Sequence, residues 1–193
     1  EKLNIRHVKY YSQREEQRRG GIMEFSEVLR QRYSVRAYRP DPIPEDKLNR
    51  ILEAARLAPT ASNLQPFKII VISTRGREAE LKRIYARDWF VQAPLVICLV
   101  AIPARAWKRR DGKNYAEVDA TIAMDHLILA ATNEGLGTCW IGAFDPLAAR
   151  EILGLPEDTV PLAFTPLGYP ADSPRPKKRK SLKELVSYDH WSD

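Results

Sequence analysis

The chain has 193 residues, 44% of them hydrophobic and 29% charged, and a net charge of +6 from 31 Lys+Arg against 25 Asp+Glu. That length builds one domain with a real core and would crowd two, and the balance of apolar and charged residues excludes disorder of the whole chain. Six of the cations, Arg175, Lys177, Lys178, Arg179, Lys180 and Lys183, lie in an acid-free run near the C-terminus and equal the entire net excess.

Residues 1–22 are polar, sustain no helical or strand period, and read as an arm or an added extension; Met23 begins the patterned region. From Glu24 to Arg32 the spacing predicts a helix with Phe25, Val28 and Leu29 on one face. Arg32-Tyr33-Ser34-Val35-Arg36 follows, with polar residues at every second position. The proline-rich stretch 40–44 interrupts any helix. Pro44-Glu45-Asp46 then opens one, with Leu48, Ile51, Leu52 and Ala55 at three-four spacing until Pro59. Thr60 to Gln65 is a polar loop. Phe67–Ser73 reads as a buried strand and residues 76–87 as a helix with Leu81, Ile84 and Tyr85 inward. Leu95–Ile102 is wholly apolar, as in a sheet covered on both faces. Residues 103–113 are basic and irregular around Trp107. Glu117–Asn133 is the longest helix, apolar on most sides and ended by Gly135-Leu136-Gly137. Thr138–Gly142 is a short strand. Pro146–Leu153 is a helix capped by Asp145 and closed by Gly154. Val160–Leu167 is a fourth strand, which Pro161 places at a sheet edge or marks as starting there. The tail, 171–193, is charged, with a Leu182/Leu185/Val186 patch too small to bury itself and expected to pack on another subunit.

In an extended backbone, Arg32, Ser34 and Arg36 share one side. Guanidinium forks match phosphate oxygens bidentately and a serine hydroxyl donates to another, so these three form a candidate phosphate cradle; the alternative is a loop with two solvated arginines. Hydrolysis finds little support. His7, His126 and His190 accompany no GxSxG motif, and His126 reads as a satisfied core residue. Asp119 and Asp125 do not share a helix face well. There is no Walker A pattern, and Gly135-Leu136-Gly137 has no third glycine. Cys98 and Cys139 form no CxxC or Cys/His cluster, so no metal site is expected, and a reducing, cytoplasmic setting fits them. The longest apolar run, residues 93–104, carries two prolines and is too short to span a bilayer, and no signal-peptide pattern opens the chain, so no membrane partner is expected. The basic tail lacks the interleaved aromatics of a nucleic-acid surface, which leaves nucleic-acid binding a remote alternative. A place to hold a ligand, with few groups to do chemistry, points to a cofactor that carries the reaction.

Four stretches, in order, resemble the nitroreductase family of FMN-dependent NAD(P)H oxidoreductases, and the likeness runs from Met23 to Trp191. Arg32-Tyr33-Ser34-Val35-Arg36-Ala37-Tyr38 is similar to the family's Arg-x-Ser-x-Arg-x-aromatic opening. Ala58-Pro59-Thr60-Ala61-Ser62-Asn63-Leu64-Gln65-Pro66-Phe67 is similar to its Ala-Pro-Ser-x-x-Asn-x-Gln-Pro-Trp loop. Glu134 to Gly142 is similar to its Gly-Leu-Gly-x-x-x-x-Gly stretch, and Lys177 to Leu182 to its C-terminal Arg-x-Pro-Leu segment. Here Ser181 replaces the usual proline and Lys183 a common acid.

The resemblance implies an α+β fold: a three-layer α/β/α sandwich around a mostly antiparallel sheet of four to five strands, with residues 23–193 as the FMN-binding domain. It implies a homodimer that exchanges its C-terminal extension and holds FMN at the interface. Arg32, Tyr33, Ser34 and Arg36 would contact the FMN phosphate and ribityl chain, closed by Arg179, with Lys177 as the second choice. Pro59, Ser62, Asn63 and Gln65 would reach the flavin from the other subunit, and Cys139, Trp140, Ile141 and Gly142 would line the ring. Gly137 and Gly142 would let backbone approach a flat ligand. The implied reaction passes hydride from NADH or NADPH through flavin N5 to an electron-poor acceptor such as a nitroaromatic or a quinone, by a ping-pong scheme with no catalytic side chain. Residues 103–116 fall where the family varies its substrate-covering segment. Alternatives within the same fold are a reductive dehalogenase, a flavin-fragmenting enzyme, and a flavin-binding protein without turnover.

Overall fold

The strand Leu95–Ala101 (β2) is apolar on both faces, and the fold follows from covering each of them. The computed structural model describes residues 23–192, so the expected arm 1–22 lies outside the described residues. Helices are Phe25–Gln31 (α1), Glu45–Arg56 (α2), Glu78–Ile84 (α3), Ala116–Asn133 (α4), Pro146–Leu153 (α5) and Leu182–Leu185 (α6). The remaining strands are Phe67–Ser73 (β1), Gly137–Thr138 (β3) and Val160–Gly168 (β4), and all four pair antiparallel in the order β1-β2-β4-β3. Val96, Cys98 and Val100 meet Leu81 and Ile84 of α3 and Ala148 and Ala149 of α5. Ile97, Leu99 and Ala101 meet Ile51 and Ala55 of α2 and a small-residue face of α4 built from Ala116, Ala120, Ala123 and Leu127. The alternation of side chains in β2 thus seats one helix pair on each side, giving the three-layer sandwich.

Helix ends follow their sequence signals. Asp145 accepts from the N–H groups of Leu147 and Ala148 at 2.9 and 3.0 Å, and Gly154 closes α5 in the left-handed region at φ 59°. After α4, Gly135 turns at φ 74° and Leu136 N–H returns to the Ala131 carbonyl at 2.8 Å. Arg50 of α2 grips Glu134 through two 2.9 Å bonds, locking α2 to the end of α4.

Several expectations are corrected. The third helix is shorter than 76–87, because Tyr85 leaves α3 in an extended conformation and a 3-10 turn, Asp88–Phe90, follows. On α1 only Val28 is buried; Phe25 and Leu29 stay exposed. His126 is half-buried rather than in the core, with Nδ1 3.0 Å from the Ile122 carbonyl of its own helix. Residues 103–113 hold a 3-10 turn, Pro103–Arg105, followed by a tight reversal in which Lys108 bridges Asn114. β4 is central, so of the two readings of Pro161 the edge fails and the strand start holds. Pro161 sits at its beginning, where the register with β2 shifts between Leu99 and Val100.

The expected strand Thr138–Gly142 is reduced to Gly137–Thr138 plus one bridge, in which Ile141 and Phe164 exchange both backbone bonds at 2.8 and 3.0 Å. By strict alternation from that pair, Pro166 faces the same side of β4 and has no N–H to give. Pairing lapses there, and the Cys139 N–H donates instead to the Thr165 hydroxyl at 2.9 Å.

Beyond β3 the sheet gains one more extended segment. Ser34 bridges Thr138 in parallel, and the Val35 N–H donates to the Thr138 carbonyl at 2.9 Å. The approach is close because residue 137 is glycine: a Cβ there would fall 2.6 Å from Val35 Cγ2 and 3.0 Å from its Cβ. Gly137→Ala is therefore expected to destabilise the protein by about 1–3 kcal/mol, since the β-branched Val35 has no compliant rotamer to yield. Chemical denaturation measures this, and an unchanged midpoint would show that residues 33–36 are not seated against β3.

Candidate functional site

Arg32 ends α1 with its N–H on the Val28 carbonyl and passes at once into extended backbone, φ −52° and ψ 125°. The cradle residues therefore run along β3 with alternating faces. Val35 points into the core. By alternation Arg32, Ser34 and Arg36 fall on the opposite face, and all three bear on the Cys139 thiol, Ser34 by hydrogen bonding and the two arginines through their charge. Burial outweighs them and pushes that thiol up, with Asp172 adding to the rise. Burial alone pushes the Cys98 thiol up to about 12. Both cysteines are buried.

One residue absent from the sequence reading braces this segment. The Asp172 carboxylate accepts from the Tyr33 hydroxyl at 3.0 Å and from the Arg36 N–H at 2.8 Å, and its carbonyl takes a second bond from Tyr33 at 2.9 Å. Burial, then the bond to Asp172, pushes the Tyr33 phenol up to about 12. Tyr33 therefore anchors the cradle with its hydroxyl. An acid just past a strand looks like any solvated acid, so the sequence carried no signal for Asp172.

The basic tail returns to this place. The Lys177 ammonium donates to the Arg30 carbonyl and, at 3.3 Å, to that of Leu29, the C-terminal carbonyls of α1 that a cation suits. Desolvation, then Arg32 and Arg179, hold its ammonium below the usual lysine range. Arg179 donates to the carbonyl of Lys178 at 2.8 Å. Seven other arginines, at 30, 39, 50, 56, 77, 83 and 109, form ion pairs with carboxylates. Among the described residues Arg32, Arg36, Lys177 and Arg179 form none within 4.0 Å. Like charges gathered without ion pairs repel one another and favour an anion between them, and the nearby Asp172 carboxylate is engaged by the Tyr33 hydroxyl and the Arg36 N–H instead.

The stretch 139–142 lies on the same sheet edge. Trp140 is half-exposed, at 39%. Ile141 is buried among Val96, Cys98 and Phe164, and its N–H is committed to Phe164, so it supports the wall from behind. The two glycines part company. Gly137 serves packing against Val35. At Gly142 a Cβ would meet nothing nearer than Trp140 Nε1 at 4.0 Å, and the backbone is not left-handed. Among the described residues no contact calls for glycine there, which leaves open backbone for a flat ligand to approach.

The structure does not bring the loop 59–65 to these residues. Pro59, Ser62, Asn63 and Gln65 are exposed, at the start of β1. Phe67 is level with Ala101 and Val160, whereas Ser34 is level with Thr138 and Leu167. Four strand spacings across and six residues along separate the two places, roughly 19 Å by 20 Å. Ser62, Asn63 and Gln65 all have positive φ, 54°, 55° and 49°. Such conformations cost on the order of 1 kcal/mol or more each. The loop is pinned by the Ala61 N–H on Asp119 Oδ1 at 3.0 Å and the Gln65 N–H on Thr60 Oγ1 at 3.1 Å, and Gln65 Nε2 donates to Asn63 Oδ1 at 3.0 Å.

Among the described residues no helix is long and apolar enough to cross a membrane, and no group of three or more His, Cys, Asp or Glu could hold a metal ion. A family model, that of the nitroreductase family, matches residues 29–87 and 75–169. An NADH dehydrogenase of Thermus thermophilus is 31% identical over 86% of this chain and 96% of its own. An FMN reductase (NAD(P)H) of Bacillus subtilis is 29% identical over 80% of this chain and 69% of its own. A crystal structure of a nitroreductase family protein from Clostridium difficile superposes with a TM-score of 0.81 at 34% identity, over 88% of this chain and all of that one.

Because the thiol is nucleophilic only as thiolate, Cys98 and Cys139 are expected to resist alkylation in the folded protein at pH 8 and to react once it is unfolded. Mass spectrometry after a timed exposure to iodoacetamide reads this directly. Rapid labelling of Cys139 in the native protein would show that the thiol is open and ionised.

Proposed function

The chain belongs to the nitroreductase family, and from that premise we propose that residues 23–193 form an FMN-binding domain of an NAD(P)H-dependent oxidoreductase acting as a homodimer. The observation that carries this reading is the cluster of Arg32, Lys177 and Arg179, without carboxylate partners among the described residues, together with the open backbone of Gly142 in the stretch that follows β3. FMN has a dianionic phosphate for the first and a flat ring for the second, so the residues present fit it. When bound, FMN supplies hydride chemistry at N5 between a reduced nicotinamide donor and an electron-poor acceptor, a nitroaromatic or quinone, taken in turn.

The chain's part is to bind and orient. Arg32, Ser34 and Arg36 offer two guanidinium forks and a hydroxyl to the phosphate. Arg179, whose guanidinium has no partner among the described residues beyond a neighbouring carbonyl, completes that site, whereas Lys177 ties the tail to the end of α1. Trp140 and the Gly142 backbone bound the ring. Asn63 and Gln65 supply amide donors and acceptors without a titrating charge. They lie too far from the cradle of their own chain to share its ligand, which supports a site completed by a second copy. The exposed Leu182, Leu185 and Val186 of the tail support the same arrangement, with the extension lying on the partner.

The purified protein is expected to be yellow, or to become so on adding FMN, and to be bleached anaerobically by NADH or NADPH. A protein that takes up no FMN would overturn the reading; one that takes it up but is bleached by neither nucleotide would be a flavin binder without nicotinamide turnover. Arg36→Ala and Arg179→Ala should each weaken FMN binding roughly tenfold or more, as expected for loss of a charge-assisted bond. Lys177→Ala should act chiefly on thermal stability, so equal losses of affinity at 177 and 179 would reverse the assignment between them.

A further inference from the structure

We propose that Asp119 is a positioning residue for the cofactor: it holds the strained loop 60–65 in the shape that presents the Asn63 and Gln65 amides. The inference rests on the reading above, in which that loop serves the flavin of the neighbouring subunit.

Asp119 stands in the first turn of α4, in line with Ala116, Ala120 and Ala123, and is 1% exposed. A carboxylate at such a position is costly to bury, and the helix N-terminus offsets only part of that cost. Packing alone would favour another alanine. What the carboxylate does is accept the Ala61 N–H through Oδ1, from a residue 58 positions away. Its other oxygen, Oδ2, has no hydrogen-bond partner among the described residues. The carboxylate is therefore half-used, and the used half is spent entirely on this loop.

The loop needs such an anchor. Three of its four residues from Ser62 to Gln65 are left-handed without being glycine, a state that persists only where surroundings over-determine it. Asp119 fixes the loop's entry through Ala61, and Thr60 fixes its exit through the Gln65 N–H. Between these points the Gln65 Nε2 to Asn63 Oδ1 bond sets the two amides side by side. Gln65 Nε2 also donates to the Asn63 carbonyl at 3.3 Å, which leaves Asn63 Nδ2 and Gln65 Oε1, on two exposed residues, without a hydrogen-bond partner among the described residues. A neighbouring donor and acceptor complement the polar edge of a flavin, which presents N–H and C=O groups in a row. Release of the anchor would let the loop relax to ordinary backbone angles and scatter that pair.

The test titrates FMN into apo-protein and reads quenching of flavin fluorescence, with apo-protein melting followed in parallel. Asp119→Ala is expected to raise the FMN Kd about tenfold, whereas Asp119→Asn, which keeps an acceptor for Ala61 and exchanges one unpaired buried oxygen for an unpaired amide nitrogen, should stay within about twofold of wild type. If Asp119→Ala does not fold, Thr60→Val releases the loop at its other end and should also weaken FMN. An unchanged Kd in the foldable variant, or an Asn variant as weak as Ala, would overturn the inference while leaving the cofactor reading intact. Wild-type apo-protein that fails to bind FMN would overturn both.

Discussion

The sheet sets the terms for everything else in this molecule. Its antiparallel order β1-β2-β4-β3 carries the amide loop at the start of β1 and the arginine cradle beyond β3, at diagonal corners. Both corners are exposed, and both hold polar groups in defined orientations. A rigid, doubly covered sheet cannot fold over to bring its corners together. Whatever ligand uses both must lie between two copies of the chain, and the exposed apolar residues of α1, of the tail and of Trp140 are then the surfaces such a pairing would cover.

The cradle corner is built by sharing out roles among residues of similar type. Lys177 closes the end of a seven-residue helix, Asp172 and Tyr33 hold the extended segment straight, and Gly137 lets that segment reach the sheet. Those tasks leave the Arg32, Arg36 and Arg179 side chains without carboxylates. The unmatched charge is therefore gathered at one corner, where Arg32 is half-buried, while Arg36 and Arg179 are as open to screening by salt as Lys178, Lys180 and Lys183 of the same tail.

Much of this was legible from residue order. The apolar run of β2, the proline and acids that start α2, and the Asp145 and Gly154 caps of α5 each carry a local physical signal, and the structure follows them; β1, read as buried, is an edge strand in which only Ile72 is buried. Alternation of Arg32, Ser34 and Arg36 foretold their common side. Other features had no local signal. The central place of β4 could not be read past Pro161, because a proline at a strand's start and one at an edge look alike until the register is known. Left-handed serine, asparagine and glutamine do not announce themselves as glycine does, so the loop 60–65 read as ordinary. Asp119 and Asp172 act through bonds to residues 58 and 136 positions away, a distance that no periodicity spans. Gly137 and Gly142 read alike in sequence, and only the neighbours of an absent Cβ tell them apart.

The neutral, enclosed thiol of Cys139 has a consequence for the lifetime of such a site. Reduced flavins meet dissolved oxygen and release hydrogen peroxide, and a cysteine beside them is the first target in reach. Peroxide attacks thiolate far faster than thiol, and the first product opens the way to irreversible acids. Two arginines and a serine hydroxyl pull this sulfur toward ionisation, and burial overrules them. In the proposed flavin site the protein would thus keep a soft, space-filling side chain while withholding the form of it that the by-product of a reduced flavin destroys.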